Sequence, residues 1–309
     1  MKEGWLINDC LTCIQGTTTF WHDLLSWFPN LIDKTNGYTD YNILANKIEN
    51  NLNSINRKPN YIIRNGTYFR NINTDIKTIS LIQDILQNNN VQINVINNSD
   101  YVVFNTNYVY EKYKNYIGNK PKIKIIPLGI NFDFFKPIKE KHSHVLPNSI
   151  VYIGSSLNYP KGFNKLLEII EMTEYNFCLI MKDNFLLSDL PTHLHNRVKI
   201  FNRVDMDTVR LLINSCICAI CTSVEETQHL SGIECGACNL PIIGSDVGFY
   251  YDCKNDNQWG FVANDKHDFC FKINFVINNL NLFSPREYLI KKYSTEVCKN
   301  NWLKIINNI

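Results

Sequence analysis

Two glutamates eight residues apart, Glu226 and Glu234, are the side chains best placed for chemistry in this sequence. Glu226 follows the apolar run 216–221, and Glu234 lies one turn inside a helix expected to start near Leu230. A helix N-terminus attracts phosphate through its free amides and its dipole, and a carboxylate accepts hydrogen bonds from vicinal hydroxyls. The spacing predicts a site for a ligand that carries phosphates and hydroxyls; the alternative is two solvated glutamates.

Lys161 is a third candidate, because it lies in a turn, 154–162, between an apolar run at 149–153 and a helical pattern at 163–171. Gly154 opens this turn. An ammonium group binds phosphate as a compact point charge. We predict that Lys161 contacts phosphate; the alternative is a lysine in plain solvent.

Short apolar runs alternate with helical patterns, which predicts parallel α/β sheets covered by helices on both faces. Strands are expected at 5–8, 61–64, 78–83, 91–95, 101–104, 149–153, 177–181, 198–201, 216–221 and 240–243. Helices are expected at 19–25, 108–116, 163–171, 206–214 and 233–238, with a helical tail from Pro285.

The chain length of 309 residues suggests two domains. The pattern changes at 123–137, which we interpret as a linker, so we predict doubly wound domains at 1–137 and 138–285. Ligands of such sheets bind outside the carboxyl ends of the strands. The active site is therefore expected in the crevice between the two domains.

Charge and hydropathy exclude several classes of partner. Lys and Arg (31) nearly balance Asp and Glu (29), so nothing predicts binding to nucleic acid. There is no run of 18 apolar residues and no basic-then-apolar leader, so we expect a cytoplasmic protein without a transmembrane segment.

Eleven cysteines in such a chain are expected to be reduced. Their CxxC spacing permits zinc, but the apolar setting of the second pair favours buried structural thiols, and no metal site is predicted. The pairs are Cys10 with Cys13, Cys218 with Cys221, and Cys235 with Cys238.

The segment 221–248 resembles the signature of the retaining glycosyltransferases of family 4, roughly P-S-x-x-E-G-F-G-L-P-x-x-E-A-M-A-x-G-x-P-V and then x-S-D-V-G-G. Residues in register are Ser223, Glu226, Leu230, Glu234, Ala237, Cys238, Pro241, Ser245, Asp246, Val247 and Gly248. Residues 126–137 resemble the family's I-P-x-G-V-D-x-x-x-F-x-P linker, and 151–154 with 161–163 resemble its diphosphate-binding turn. The match covers about residues 123–264.

This resemblance implies a GT-B fold, in which two Rossmann-like domains face a central cleft and the C-terminal helix, about 286–309, packs back on the first domain. It also implies transfer, with retention, of a sugar from a UDP- or GDP-sugar to a hydroxyl of a glycan or other acceptor, without an obligatory metal or another cofactor.

The resemblance also assigns roles to single residues. Glu226 would contact the donor sugar and act with Lys161 in catalysis, while Glu234 would bind the ribose. The remaining donor-binding residues would be Gly154, Ser155, Thr227, Gln228, His229 and Leu230.

Two departures from the family pattern bear on the donor. Ser155 stands where many members carry arginine, which leaves Lys161 to meet the diphosphate charge alone. The Gly-Phe-Gly of the loop is replaced by residues 227–229, whose side chains are expected to reach into the donor pocket.

The first domain offers weaker candidates for the acceptor side of the cleft. Gly16 and Thr17 precede a helix, and we expect them to bind the donor phosphate or the acceptor. The alternative is that they only cap that helix. His22 lies on this helix and is a further candidate for the acceptor side. The alternative is a core or surface histidine without a role in the site. Arg64 and Asp84 lie at predicted strand ends.

Two other functions remain open at this point: a noncatalytic nucleotide-sugar-binding protein and a GT-B sugar-nucleotide epimerase. The first domain is also short for an acceptor domain. A homodimer that completes the cleft is therefore an alternative to a monomer.

Overall fold

The described part of the computed structural model comprises residues 2–7, 16–34, 41–66, 72–85, 90–156 and 159–309. It forms two units, the first of Met1–Gly129 with Glu296–Ile309 and the second of Ile130–Thr295. Cys10 and Cys13 lie outside the described residues.

The first unit contains a six-stranded parallel sheet in the order β2-β1-β3-β4-β5-β6. Its strands are β1 Gly4–Ile7, β2 Leu31–Asp33, β3 Tyr61–Asn65, β4 Lys77–Ile82, β5 Tyr101–Phe104 and β6 Lys122–Ile125. Its first four helices are α1 Gly16–Trp27, α2 Tyr41–Ser54, α3 Asn90–Asn98 and α4 Asn107–Tyr113. The inner strands β1, β3 and β5 are buried along their whole length, as expected where helices cover both faces of a parallel sheet.

The prediction of a strand at 91–95 is wrong, because this segment lies in helix α3. Apolar and polar residues alternate there, which resembles a strand, but the buried side chains are Gln92, Val95 and Ile96, a helical spacing. Gln92 is buried because its side-chain oxygen accepts a hydrogen bond of 2.6 Å from the hydroxyl of Tyr113. Tertiary packing therefore decides the structure of this short segment.

The second unit contains another six-stranded parallel sheet, in the order β12-β11-β10-β7-β8-β9. Its strands are β7 Ser149–Gly154, β8 Asn176–Met181, β9 Val198–Asn202, β10 Cys218–Cys221, β11 Ile242–Gly244 and β12 Gly260–Val262. Its helices are α5 Phe163–Met172, α6 Met206–Asn214, α7 Leu230–Ala237, α8 Gly248–Cys253, α9 Lys266–Asn278 and α10 Pro285–Tyr293. The strand order reverses between β7 and β10, and such a reversal is where doubly wound sheets bind ligands.

The division into units differs from the sequence expectation at 130–137 and 286–295, which both belong to the second unit. The guanidinium of Arg286 on α10 donates hydrogen bonds to the carbonyls of Phe132 at 2.9 Å, Phe135 at 2.8 Å and Ala237 at 2.6 Å. This one side chain ties the linker and α10 to the end of α7. The sequence pattern at 123–137, from which the domain boundary was predicted, does not indicate these contacts of Arg286.

The C-terminal helix α11, Thr295–Asn307, contributes most of its residues to the first unit. Trp302 is fully buried, and its ring centroid lies 6.0 Å from that of Phe20 on α1. Ile305 and Ile306 are buried beside it. In the described part of the chain, none of the helices is both long and apolar enough to cross a membrane.

Candidate active site

The turn after β7 and the loop after β10 lie against each other at the carboxyl edge of the second sheet. The amide of Val224 donates to the carbonyl of Pro160 at 2.7 Å, and the hydroxyl of Thr222 donates to the carbonyl of Lys161 at 3.3 Å. These bonds hold Lys161 beside residues that are more than sixty positions away in the sequence.

Gly162 makes this close approach possible. Its φ is +62°, a left-handed conformation, and a Cβ at this position would lie 2.1 Å from the carbonyl oxygen of Thr222. Any residue with a side chain is therefore excluded by backbone atoms as well as disfavoured by its conformation.

Gly162→Ala should accordingly destabilise the second unit by about 1–3 kcal/mol, the range for strained backbone positions. Thermal unfolding of the variant measures this directly. Gly118→Ala is the control, because the nearest atom to its Cβ would be the Asn97 side-chain oxygen at 3.3 Å. Equal melting temperatures for the two variants would contradict the described approach of the two loops.

Lys161 and Glu226 form an ion pair in which the ammonium nitrogen lies 2.7 Å from Oε1 of the carboxylate. The hydroxyl of Ser223 donates to the same oxygen at 2.8 Å. Burial favours the neutral acid, but the charge of Lys161 and the hydrogen bonds from Lys161 and Ser223 hold the pKa of Glu226 below its usual value. Glu226 is therefore an ionised acceptor with a fixed orientation.

Glu234 has a different environment, on α7 with a partly buried side chain. Its carboxylate makes no hydrogen bond or ion pair with any residue that the structure describes. Burial raises the pKa of Glu234 to about 7. A partly buried carboxylate without a partner costs free energy, and donors from a ligand would offset that cost.

The loop that carries Thr227, Gln228 and His229 is fixed from its inner side. His229 has a φ of 66° and is buried, and its Nδ1 lies 2.7 Å from the hydroxyl of Tyr250 on α8. Its Nε2 lies 3.2 Å from the hydroxyl of Ser231.

Burial lowers the pKa of His229 to about 4, so the ring is neutral near pH 7. Gln228 is also buried, and its carbonyl accepts from the amide of Phe249 at 3.1 Å. The side chain of His229 and the backbone carbonyl of Gln228 therefore fix the loop from within the protein.

Asp183, which follows β8, is a residue that no motif in the sequence singled out. Its Oδ2 accepts hydrogen bonds from the hydroxyl of Ser155 at 3.1 Å, and from the amide and hydroxyl of Ser156 at 2.9 and 2.7 Å. The strand register accounts for this contact, because Met181 at the end of β8 pairs with Gly154 at the end of β7. The carboxylate of Asp183 therefore lies beside the first residues of the 154–162 turn.

One group in the described residues has ligand atoms close enough for a metal ion, namely Cys221, Glu226 and His229, whose atoms lie within 4.8 Å of one another. Glu226 already accepts from Lys161, and both ring nitrogens of His229 have hydrogen-bond partners. Burial raises the pKa of Cys221 to about 11, which keeps the thiol protonated. This group is a hydrogen-bonded network beside a lysine, a charge that opposes cation binding.

The candidates of the first unit are spread over its sheet and one helix. Gly16 and Thr17 form the first turn of α1, and His22 lies exposed on the same helix. Arg64 is buried at the end of β3, and Asp84 follows the neighbouring strand β4. Arg64 and Asp84 therefore both lie at the carboxyl edge, at the ends of adjacent strands.

Comparison with known proteins places this geometry in a family. The model of the family described as glycosyl transferases group 1 matches residues 134–293, which is more than half of the chain. The chain belongs to this family. Its members include the GT4 enzymes that transfer sugars from nucleotide sugars, so the family resemblance found in the sequence is confirmed.

Solved glycosyltransferase structures show the same fold over the whole chain. Sucrose-phosphate synthase (tll1590) from Thermosynechococcus elongatus is 12% identical with a TM-score of 0.77, and 99% of each chain is covered. The lipopolysaccharide outer core galactosyltransferase WaaB is 13% identical with a TM-score of 0.77, covering 99% of this chain and 100% of its own. Alr3699/HepE from Anabaena, in complex with UDP-glucose, is 14% identical with a TM-score of 0.72, covering 99% of this chain and 100% of its own.

These matches establish the GT-B fold that the sequence predicted. No curated protein sequence matches the chain at a significant level. The family and the fold together make the protein a GT4 glycosyltransferase that takes its sugar from a nucleotide sugar.

Proposed function

We propose that this glycosyltransferase binds a UDP- or GDP-sugar at the carboxyl ends of β7 and β10 and transfers the sugar, with retention, to a hydroxyl of a glycan or other acceptor. The observation that carries the proposal is the Lys161–Glu226 pair of 2.7 Å at the point where the strand order reverses. The complexes of Alr3699/HepE with UDP and with UDP-glucose support UDP as the first nucleotide to test.

Lys161 is the cation proposed to stabilise the leaving diphosphate. Its ammonium group has three N–H donors, of which Glu226 uses one, so two remain for phosphate oxygens. In a loose, oxocarbenium-like transition state the negative charge grows on the diphosphate as the glycosidic bond breaks. A cation already held in position stabilises that charge without reorganisation.

Glu226 and the N-terminus of α7 are proposed to hold the sugar. The carboxylate accepts hydrogen bonds from sugar hydroxyls, and the amides of residues 227–230 face the sugar and the distal phosphate. The acceptor hydroxyl then attacks from the face that the diphosphate leaves. Neither step requires a protein nucleophile or a metal ion, because Lys161 and the backbone amides supply the positive charge.

Incubation with a panel of UDP- and GDP-sugars, with and without an acceptor, tests this proposal. We expect release of nucleotide that requires an acceptor and persists in EDTA. Binding without turnover would instead indicate a nucleotide-sugar-binding protein, and a new sugar nucleotide would indicate an epimerase. Loss of transfer in EDTA that magnesium or manganese restores would contradict the metal-independent mechanism.

The ribose is assigned to Glu234. Glu234→Ala should weaken donor binding by about 1.5–3 kcal/mol, the size of hydrogen bonds to a charged group. Calorimetric titration with a UDP-sugar measures this change. Equal donor affinity in the wild type and the variant would contradict the assignment.

The raised pKa of Glu234 makes donor affinity depend on pH. Above pH 7 the carboxylate is ionised and accepts from both ribose hydroxyls, whereas below pH 7 one oxygen is protonated. Affinity for a UDP-sugar, whose diphosphate does not titrate in this range, should therefore rise between pH 6 and pH 8. Glu234→Gln should abolish this rise, and an unchanged profile in the variant would assign the titration to another group.

A further inference from the structure

A cavity of about 510 Å³ lies in the first unit, between the edge strand β6 and the end of helix α11. All the residues that line it belong to the first unit, whereas Lys161 and Glu226 belong to the second. Its volume falls in the range of small-molecule sites, about 300–1,000 Å³. The residues that line it are Tyr101, Lys122, Lys124, Ile125, Ile126, Asn301, Lys304, Ile305 and Asn308.

Three exposed lysines line this cavity, Lys122, Lys124 and Lys304, and the described residues that line it include no carboxylate. Lys122 lies over the ring of Tyr101, 5.3 Å from its centroid, and Lys304 donates to the side-chain oxygen of Asn301 at 3.3 Å. None of the three lysines forms an ion pair with a described residue. The nearby Asp100 is already paired with Lys77 at 3.0 Å.

Lysines on an edge strand have a common structural role, since they prevent the strand from pairing with another chain. That role accounts for Lys122 and Lys124, which lie two residues apart on β6. It does not account for Lys304, which comes from α11 and faces the same cavity from another element. Three like charges around one concave space repel each other, and an anion in that space would relieve the repulsion.

The other lining groups suit a ligand that is larger than a lone phosphate. The amide nitrogen of Asn301 makes no hydrogen bond with a described residue, so it is a donor that a ligand can use. Ile126 and Ile305 are buried and give the cavity an apolar wall. An amide donor beside an apolar wall fits a sugar ring, with its hydroxyls at the edge and its C–H groups on the face.

From this arrangement we propose that the cavity binds a soluble organic phosphate such as a hexose phosphate, with the phosphate among Lys122, Lys124 and Lys304 and the sugar against Asn301. This site is distinct from the donor site of the second unit. The proposal does not depend on the function proposed above.

Calorimetric titration with glucose 6-phosphate, with inorganic phosphate and with glucose tests the site. We expect glucose 6-phosphate to bind more tightly than inorganic phosphate, and glucose to bind hardly at all. Lys304→Gln should weaken glucose 6-phosphate binding about tenfold or more, as expected for the loss of a charge-assisted hydrogen bond. Lys299→Gln is the matched control, because Lys299 lies on the same helix but does not line the cavity.

Two further measurements distinguish this cavity from the donor site and from a lipid-binding surface. Lys161→Ala should leave glucose 6-phosphate binding unchanged, since phosphate at the donor site would lose affinity in that variant. Sedimentation with phosphatidylglycerol vesicles tests a lipid headgroup as the source of the phosphate. Equal binding by Lys304→Gln and Lys299→Gln, loss of binding in Lys161→Ala, or binding to vesicles alone would each overturn the proposal.

Discussion

Lys161→Ala should lower the maximal rate of sugar transfer by about a hundredfold or more, the loss seen when one preorganised oxyanion donor is removed. The charge on the diphosphate develops as the glycosidic bond breaks, so the contact strengthens toward the transition state. The maximal rate should therefore fall more than the apparent Michaelis constant rises. Steady-state kinetics at saturating acceptor measures both quantities.

Two variants control for this result. Lys161→Arg should recover part of the rate, because it keeps the charge but not the geometry of the ammonium group. Lys266→Ala removes a lysine from an exposed ion pair with Glu168 and should leave the rate unchanged. Near wild-type turnover in Lys161→Ala would refute the phosphate assignment of the 154–162 turn.

The carboxylate beside Ser155 changes how the missing arginine is tested. An arginine introduced by Ser155→Arg alone would meet Asp183, which already accepts from Ser155 and Ser156. The double change Ser155→Arg with Asp183→Asn frees the guanidinium for the diphosphate. The activity lost in Lys161→Ala is therefore expected to recover mainly when both of these changes are combined with it.

Glu226→Gln should lower turnover by about tenfold to a hundredfold, the effect of losing hydrogen bonds to a charged acceptor. The change keeps the shape of the side chain but removes its charge, so both the sugar hydroxyls and Lys161 lose their ionised partner. Initial rates with a chosen UDP-sugar at saturating acceptor measure the effect. Glu225→Gln is the matched control, since Glu225 is the adjacent carboxylate and makes no hydrogen bond through its side chain with a described residue.

Equal rates for Glu226→Gln and Glu225→Gln would remove Glu226 from the proposed machinery. A fall in rate with both variants would point to the loop as a whole. A selective fall in the rate of Glu226→Gln, with an unchanged melting temperature, is the result that supports its contact with the sugar.

The sequence alone was sufficient to predict the parts of the site whose residues lie close together in the chain. Strand β10, the loop after it and helix α7 are contiguous, so the spacing of Glu226 and Glu234 could be interpreted without coordinates. The turn that carries Lys161 was found because a glycine lies at each of its ends.

Contacts between segments that are far apart in the sequence could not be predicted from a local pattern. Asp183 lies beside Ser155 only because of the register of β7 and β8, and Tyr250 reaches His229 from α8. The Arg286 contacts likewise assign α10 to the second unit. In the first unit, apolar residues alternate with Gln92 and Asn94 at 91–95, a pattern that resembles a strand, but the packing of the segment makes it a helix.

The structure of the enzyme in complex with UDP, and separately with GDP, tests the proposed donor site most directly. We expect the diphosphate at the 154–162 turn, with an oxygen within about 2.7–3.2 Å of the Lys161 ammonium. The ribose should lie on Glu234. A nucleotide bound with its diphosphate away from Lys161, or held by the cavity of the first unit, would contradict this assignment.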